Sequence, residues 1–178
     1  VADFTQQLSL PEIADGARRA GFFPGSTIGN FRTDAAAALL RRMRKMLDGG
    51  GLLIGVDLVK DPQILHSAYN DAAGVTAAFN KNLLARANRE LDANFNLEDF
   101  AHYAPYNAAQ HRIEMYLVSL KRQSVEVGGR RFDFAQGEAI HTEDSHKYTI
   151  EAFRELAARA GFEPRAVWTD EERLFSLH

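Results

Sequence analysis

Leu52-Leu53-Ile54-Gly55-Val56-Asp57-Leu58 is a nearly continuous apolar run of strand length, with Gly49-Gly50-Gly51 before it and Lys60-Asp61-Pro62 after it. A strand that is apolar on both faces suits a parallel sheet covered on both sides, whereas a strand half in water would alternate. Upstream, residues 34–48 carry Leu39, Leu40, Met43 and Leu47 at helical spacing. Thr33 is the expected N-cap of that helix and the three glycines its stop. Before the helix, Phe22-Phe23 pass into Pro24-Gly25-Ser26-Thr27-Ile28-Gly29-Asn30, an apolar strand entering a tight loop. Strand, helix, strand implies an α/β sheet. The carboxyl end of its strand, at Asp57, is where open α/β sheets place ligands.

Before this core, residues 8–20 predict a short helix or an irregular segment. After Pro62 the pattern changes. Residues 73–91 predict an amphipathic helix with Val75, Phe79, Leu83, Leu84, Ala87 and Leu91 on its apolar side and Lys81, Arg86 and Arg89 opposite. A short helix capped by Asn96 follows, and residues 112–119 and 124–127 alternate as strands do, with Gly128-Gly129 turning the second into 131–134. Helical periodicity returns over 148–160, and 163–169 and 173–177 read as two closing strands. The expected organisation is a split α/β domain, 1–59 plus 147–178, with an α+β lobe inserted over 60–146.

With 178 residues and 46% hydrophobic content the chain can bury a core, and a net charge of −3 with interspersed signs offers no basic stripe for nucleic acid. No apolar run approaches the ~20 residues that cross a bilayer. The sequence has no cysteine, which excludes thiolate chemistry and suits a reducing cytosol. His102, His111, His141 and His146 lack H-E-x-x-H spacing, so no metal is expected. The opening Val1-Ala2-Asp3-Phe4, without a Met, reads as an entry in mid-fold, as in a fragment.

The densest chemistry lies in Ile140-His141-Thr142-Glu143-Asp144-Ser145-His146-Lys147-Tyr148. In an extended segment Glu143 and Ser145 point to one face and together can grip one polar ring. The competing reading is a solvated turn with Ser145 as the N-cap of the next helix. The Gly25-x-x-x-Gly29 loop is neither a dinucleotide fingerprint nor a P-loop; its glycines suit ordinary loop structure or close approach of a ligand, with Asn30 offering a donor and an acceptor. Tyr69-Asn70-Asp71 and Tyr103 to Asn107 put phenols and amides in expected loops, where Tyr is often half-buried without function. Met115, between Glu114 and Tyr116, reads as core.

The segments Phe22–Phe31, Tyr69–Asn80, Arg112–Met115 and Gly137–Ser145, in this order, resemble the histidine-specific N-alpha-methyltransferase family of ergothioneine biosynthesis. The resemblance covers essentially the whole chain. It implies a partial class I methyltransferase (Rossmann-like) sheet with an inserted α+β substrate-binding lobe. It further implies transfer of three methyl groups from S-adenosylmethionine to the α-amino group of L-histidine, giving hercynine. On the residues that match, Asn30 and the Gly25 backbone would bind the amino-acid head and Tyr69 its carboxylate, with Asn30 and Tyr69 orienting the reacting amine. Glu143 and Ser145 would read the imidazole, Met115 would line the pocket, and Asp3 and Phe4 would contact adenine. The family's amino-terminal part, with its glycine-rich cofactor loop, ribose-binding acid and a further substrate tyrosine, has no counterpart here. This stretch alone is therefore expected to be inactive and to bind S-adenosylmethionine weakly. The rival expectations are a related N-methyltransferase for another amino acid or amine, and a non-catalytic substrate-binding piece.

Overall fold

The computed structural model describes residues 3–6, 8 and 10–178, which form two compact units: 1–59 with 146–178, and 60–145. In the first unit residues 10–19 are irregular and lead into β1 (Ala20–Phe23), α1 (Thr33–Leu47) and β2 (Gly51–Asp57). β1 and β2 pair in parallel, Phe22 beside Leu53. In α1 the N-cap is Arg32 and not Thr33, because the Ala36 amide already bonds the Arg32 carbonyl at 2.8 Å and Thr33 becomes the first helical residue. The helix stops at Asp48, which is left-handed with φ 43°. Its apolar stripe, Ala36, Leu39, Leu40, Met43 and Leu47, is buried. Most of that stripe packs with Ile54 and Val56 of β2. Each full side-chain burial of this kind contributes about 1.5–3 kcal/mol before the cost of ordering the chain.

The chain then builds the second unit: α2 (Pro62–Tyr69), α3 (Val75–Glu90), β3 (Phe100–Tyr103), β4 (Tyr106–Asn107), β5 (Arg112–Ser119), β6 (Gln123–Val127), β7 (Arg130–Phe134) and β8 (Ala139–His146). β5 is the hub, antiparallel to β3 and β4 and paired with β8, while β6 and β7 form their own hairpin. A 3₁₀ turn at Leu97–Asp99, capped by the Asn96 side chain, leads into β3. Helix α2 was not anticipated, although Asp61 at its N-cap accepts from the Gln63 amide at 2.7 Å and Pro62 occupies its first turn. Both are ordinary start signals. Tyr103 to Asn107, expected as loop, instead continue the pairing with β5: β3 and β4 follow one antiparallel register, Tyr103 opposite Tyr116 and Tyr106 opposite Ile113.

Helix α3 buries a different face from the one its apolar residues suggest. Leu84 and Asn80 are buried, while Val75 and Phe79 are 68% and 66% exposed. Asn80 is drawn inward because two groups of the β3–β5 sheet bond its amide; that polar anchor outweighs the apolar pattern. At the helix start the Asp71 carboxylate accepts from the Val75 and Thr76 amides at 2.8 Å each. The Thr76 bonds first, and then that of Val75, bring its pKa down to about 2.

The chain returns to the first unit through α4 (Ile150–Arg159), β9 (Trp168–Thr169) and β10 (Phe175–Leu177). The N-cap of α4 is Thr149, whose hydroxyl accepts from the Ala152 amide, and Ser145 lies in β8; the capped-turn reading of Ser145 is thereby excluded. The first unit's sheet has the order β1-β2-β10-β9, with β10 antiparallel to both neighbours. Both closing strands are shorter than expected; the second begins only at Phe175, since the Asp170 carboxylate takes the Leu174 and Phe175 amides into a turn. Phe153, Leu156, Ala157 and Ala160 of the α4 region complete the core around β2. Among the described residues no helix is long and apolar enough to cross a membrane.

Candidate active site

In the first unit the loop Pro24–Asn30 lies against the carboxyl half of β2. A Cβ on Gly55 would stand 2.8 Å from the Phe175 ring and 3.1 Å from the Gly25 nitrogen, so the missing side chain is what lets the loop approach the strand. Gly25 (φ 73°) and Ser26 (φ 57°) are both left-handed and turn the chain into a 3₁₀ turn over Thr27–Asn30. The Ser26 hydroxyl accepts from the Asp57 amide at 2.8 Å, tying the loop to the strand end. Asn30 closes the turn exposed, and its side-chain amide makes no hydrogen bond among the described residues. A donor and an acceptor are therefore presented from a rigid base. Gly29, beneath it, is buried, and a Cβ there would lie 2.7 Å from the His146 carbonyl oxygen. Gly29→Ala is expected to cost about 1–3 kcal/mol by overpacking against backbone. A thermal melt that leaves Tm unchanged would show that this contact is slack.

Beside Asn30's loop, Asp57 forms an ion pair with Lys147 at 2.7 Å; the lysine side chain is 1% exposed and the aspartate 20%. The Asp57 carbonyl also accepts from the Tyr148 amide. Sequence reasoning marked Asp57 by its place at a strand end and passed over Lys147, since a lysine carries no sign of burial until its partner is known.

Asp3 and Phe4 fit the flat, amine-bearing end of an adenosyl group. Phe4 is 37% exposed, with its ring edge-on to Phe23 at 5.4 Å and Phe31 at 6.4 Å, and offers an apolar platform. The Asp3 carboxylate accepts from the Thr5 hydroxyl and amide, which hold its pKa below the usual carboxylate value, so it remains an ionised acceptor. A separate cleft of 470 Å³ opens at the other end of β2, between Gly49–Gly51 and His178, and contains none of the candidate residues.

In the second unit, Tyr69 and Ser145, 76 residues apart, meet with their hydroxyl oxygens 2.8 Å from each other. Ser145 is 8% exposed and Met115 only 2%. Glu143 is half-buried in the same strand as Ser145, two residues before it. Strand β8 is braced on both sides of Glu143. Thr142 Oγ1 lies 3.0 Å from the Met115 carbonyl, and the Asp144 carboxylate holds Arg112 at 3.2 Å and His141 Nε2 at 3.0 Å. Arg112 in turn donates to Glu114, which also accepts from the Tyr116 hydroxyl at 2.8 Å and the Asn107 amide. The Tyr116 bond first, and then Arg112, lower the Glu114 pKa to about 2.

A carboxylate with a depressed folded-state pKa stabilises the fold fully above its unfolded value and loses that contribution as pH falls through the folded one. For Glu114 the window runs from its ordinary 4.5 down to about 2. Acid titration of Tm should therefore be steeper for the wild type than for Glu114→Gln in that window. Equal slopes would mean the cluster contributes nothing to acid stability. Among the described residues no three His, Asp or Glu side chains converge as a metal site.

A family model described as histidine-specific methyltransferase, SAM-dependent, matches residues 1–178. This chain belongs to the histidine-specific methyltransferase family. Within the family, the histidine N-alpha-methyltransferase of Mycobacterium tuberculosis is 44% identical over 178 residues, covering 98% of this chain and 55% of that protein. The protein of the same name in Mycolicibacterium smegmatis is also 44% identical, with the same coverage. Ergothioneine biosynthesis protein 1 of Neurospora crassa is 31% identical over 153 residues, which are 82% of this chain and 17% of that protein. The chain thus spans about half the length of the histidine methyltransferases that it matches.

Proposed function

We propose that the whole protein methylates the α-amino group of L-histidine with S-adenosylmethionine, three times in succession, to give hercynine for ergothioneine biosynthesis. The observation that carries this reading is the family match along every residue of the chain. In support, the second unit brings the Tyr69 and Ser145 hydroxyls together beside buried Met115 and the strand carrying Glu143.

When bound, S-adenosylmethionine supplies an electrophilic methyl on a sulfonium; Asp3 and Phe4 would hold its adenine end. The remaining contribution of this chain is orientation. Methyl transfer is an in-line displacement with dispersed charge, so the gain comes from holding a neutral amine in line with the methyl. Asn30, with its free donor and acceptor, and the Gly25 backbone bind the amino-acid head, and Tyr69 takes the carboxylate. Glu143 and Ser145 accept from and donate to the imidazole, over the apolar Met115. An α-amino group has a pKa of ~8 in peptides and somewhat higher in a free amino acid, so a proton must leave before transfer, but no strong base is required. Tyr69 and Ser145 serve opposite ends of the substrate in this scheme, so their mutual hydrogen bond opens when histidine enters.

The lobe 60–146 is, on this reading, the substrate-binding lobe and 1–59 with 147–178 the carboxy-terminal part of the methyltransferase domain, working in the cytosol on a small molecule. The experiment is incubation of the full-length protein with histidine and S-adenosylmethionine, read by mass. Three successive methyl additions are expected. Methylation of tryptophan in preference to histidine would replace this reading with that of a methyltransferase for another amino acid. The 178 residues by themselves should bind S-adenosylmethionine weakly or not at all by calorimetry, and tight binding would mean that the cofactor site is built within them.

A further inference from the structure

One buried amide in the second unit touches the support of every residue assigned above to the imidazole end and to the carboxylate. Asn80, 4% exposed on α3, directs its Nδ2 to the Tyr116 carbonyl at 3.0 Å and to His102 Nδ1 at 3.0 Å. Its Oδ1 accepts from the Thr142 hydroxyl at 2.7 Å. The direction of each bond is determined. A carbonyl can only accept, so the amide nitrogen must face Tyr116, and His102 Nδ1 must then be the accepting nitrogen of the ring. The ring proton is therefore on Nε2, which lies 2.8 Å from the Tyr69 carbonyl and donates to it. On the other arm the Thr142 hydroxyl proton is shared between Asn80 Oδ1 and the Met115 carbonyl, 3.0 Å away.

We propose that Asn80 and His102 are positioning residues: a neutral, singly determined hydrogen-bond chain that sets the peptide plane of Tyr69 and the register of Thr142, and through them the placement of Tyr69, Met115, Glu143 and Ser145 for substrate. This rests on the substrate reading given above. Asn70 pairs with the backbone of Ala104 in both directions and holds the chain just after Tyr69. His102 therefore orients one peptide within an anchored loop. A buried polar network fixes its members in one arrangement when every member is satisfied. Here the amide's three bonds and the ring's two are all made.

The test uses the full-length protein with His102→Phe, His102→Gln and Thr142→Val. Phe keeps the ring volume and loses both bonds; Gln reaches far enough to donate again to the Tyr69 carbonyl. Two quantities are measured: histidine affinity by calorimetry, and hydrogen exchange at the Asn70 amide, which shares the Tyr69 peptide. His102→Phe should speed that exchange and weaken histidine binding by about 10- to 100-fold, the scale of a misplaced binding group. His102→Gln should recover most of both. A role in stability alone would lower Tm and leave the affinity of the folded fraction unchanged, and that result overturns the proposal. So does unchanged Asn70 exchange, or Gln behaving no better than Phe. If His102→Phe does not fold, Thr142→Val, which cuts the other arm with no change of shape, must weaken histidine binding or the proposal falls. A wild type that binds no histidine overturns the substrate reading, while the exchange measurement still decides whether the clamp on Tyr69 exists.

Discussion

Glu143→Ala in the full-length protein is expected to lower kcat/KM for histidine by roughly 10- to 150-fold, the loss of one charge-assisted hydrogen bond worth about 1.5–3 kcal/mol. Glu143 sits half-buried in β8, with Thr142 before it and Asp144 after it both held to β5 side chains or backbone, so its own direction is set by the strand. Against tryptophan the same change should be neutral or favourable, because it removes a carboxylate that an indole satisfies poorly. Asn30→Ala, by contrast, should damage both substrates, since the head group is common to them. The measurement is kcat/KM for both amino acids with the wild type and the two variants. Equal losses on histidine and tryptophan for Glu143→Ala would mean that Glu143 does not read the ring.

The largest stability effect should come from Asp57→Ala, which leaves the ammonium of Lys147, 1% exposed, without the carboxylate 2.7 Å from it. Removing one member of a buried pair costs about 3–5 kcal/mol, because the remaining charge keeps its desolvation penalty and loses its compensation. Chemical denaturation of the wild type, Asp57→Ala and the double variant Asp57→Leu with Lys147→Met gives the decisive comparison. The double variant should recover most of the loss, since two apolar groups of similar size leave no orphaned charge. A single variant as stable as the wild type would show that solvent reaches the ammonium and that the pair is not buried in energetic terms. The Asp57 backbone amide that donates to the Ser26 hydroxyl is kept in this variant, so the tie to the loop that presents Asn30 should persist.

The strand at 51–57 was legible as a continuous apolar run of strand length between glycines and a proline, and the helices after Thr33 and near 150–159 because their apolar residues repeat with the helical period. The turn at Gly128-Gly129 was equally plain, since both residues take the positive φ that glycine accepts freely. Helix α2 was not seen, although Asp61-Pro62 announces it, because eight residues with one buried leucine offer too little periodicity to register. Helix α3 was placed correctly and turned wrongly: the apolar residues Val75 and Phe79 face out, and polar Asn80 faces in. A helix shows its apolar face in sequence, but the face it buries depends on which partners it finds, and Asn80 found a carbonyl, an imidazole and a hydroxyl on three different strands.

The candidate residues divide in the same way. Local sequence determined that Pro24–Asn30 would be a glycine loop at the end of a strand and that Glu143 and Ser145 would be two apart in an extended segment, because turn chemistry and strand alternation act over a few residues. The family resemblance singled out Tyr69 and Met115, which no spacing marks. Only the tertiary structure decided that the Tyr69 and Ser145 hydroxyls lie 2.8 Å apart, that Lys147 is buried against Asp57, and that Asn80 and His102 stand behind Tyr69. Each of these joins residues from 22 to 90 positions apart whose partners are absent from their own neighbourhoods. A polar side chain shows its burial only through the group that satisfies it, and that group is supplied by the packing of the fold.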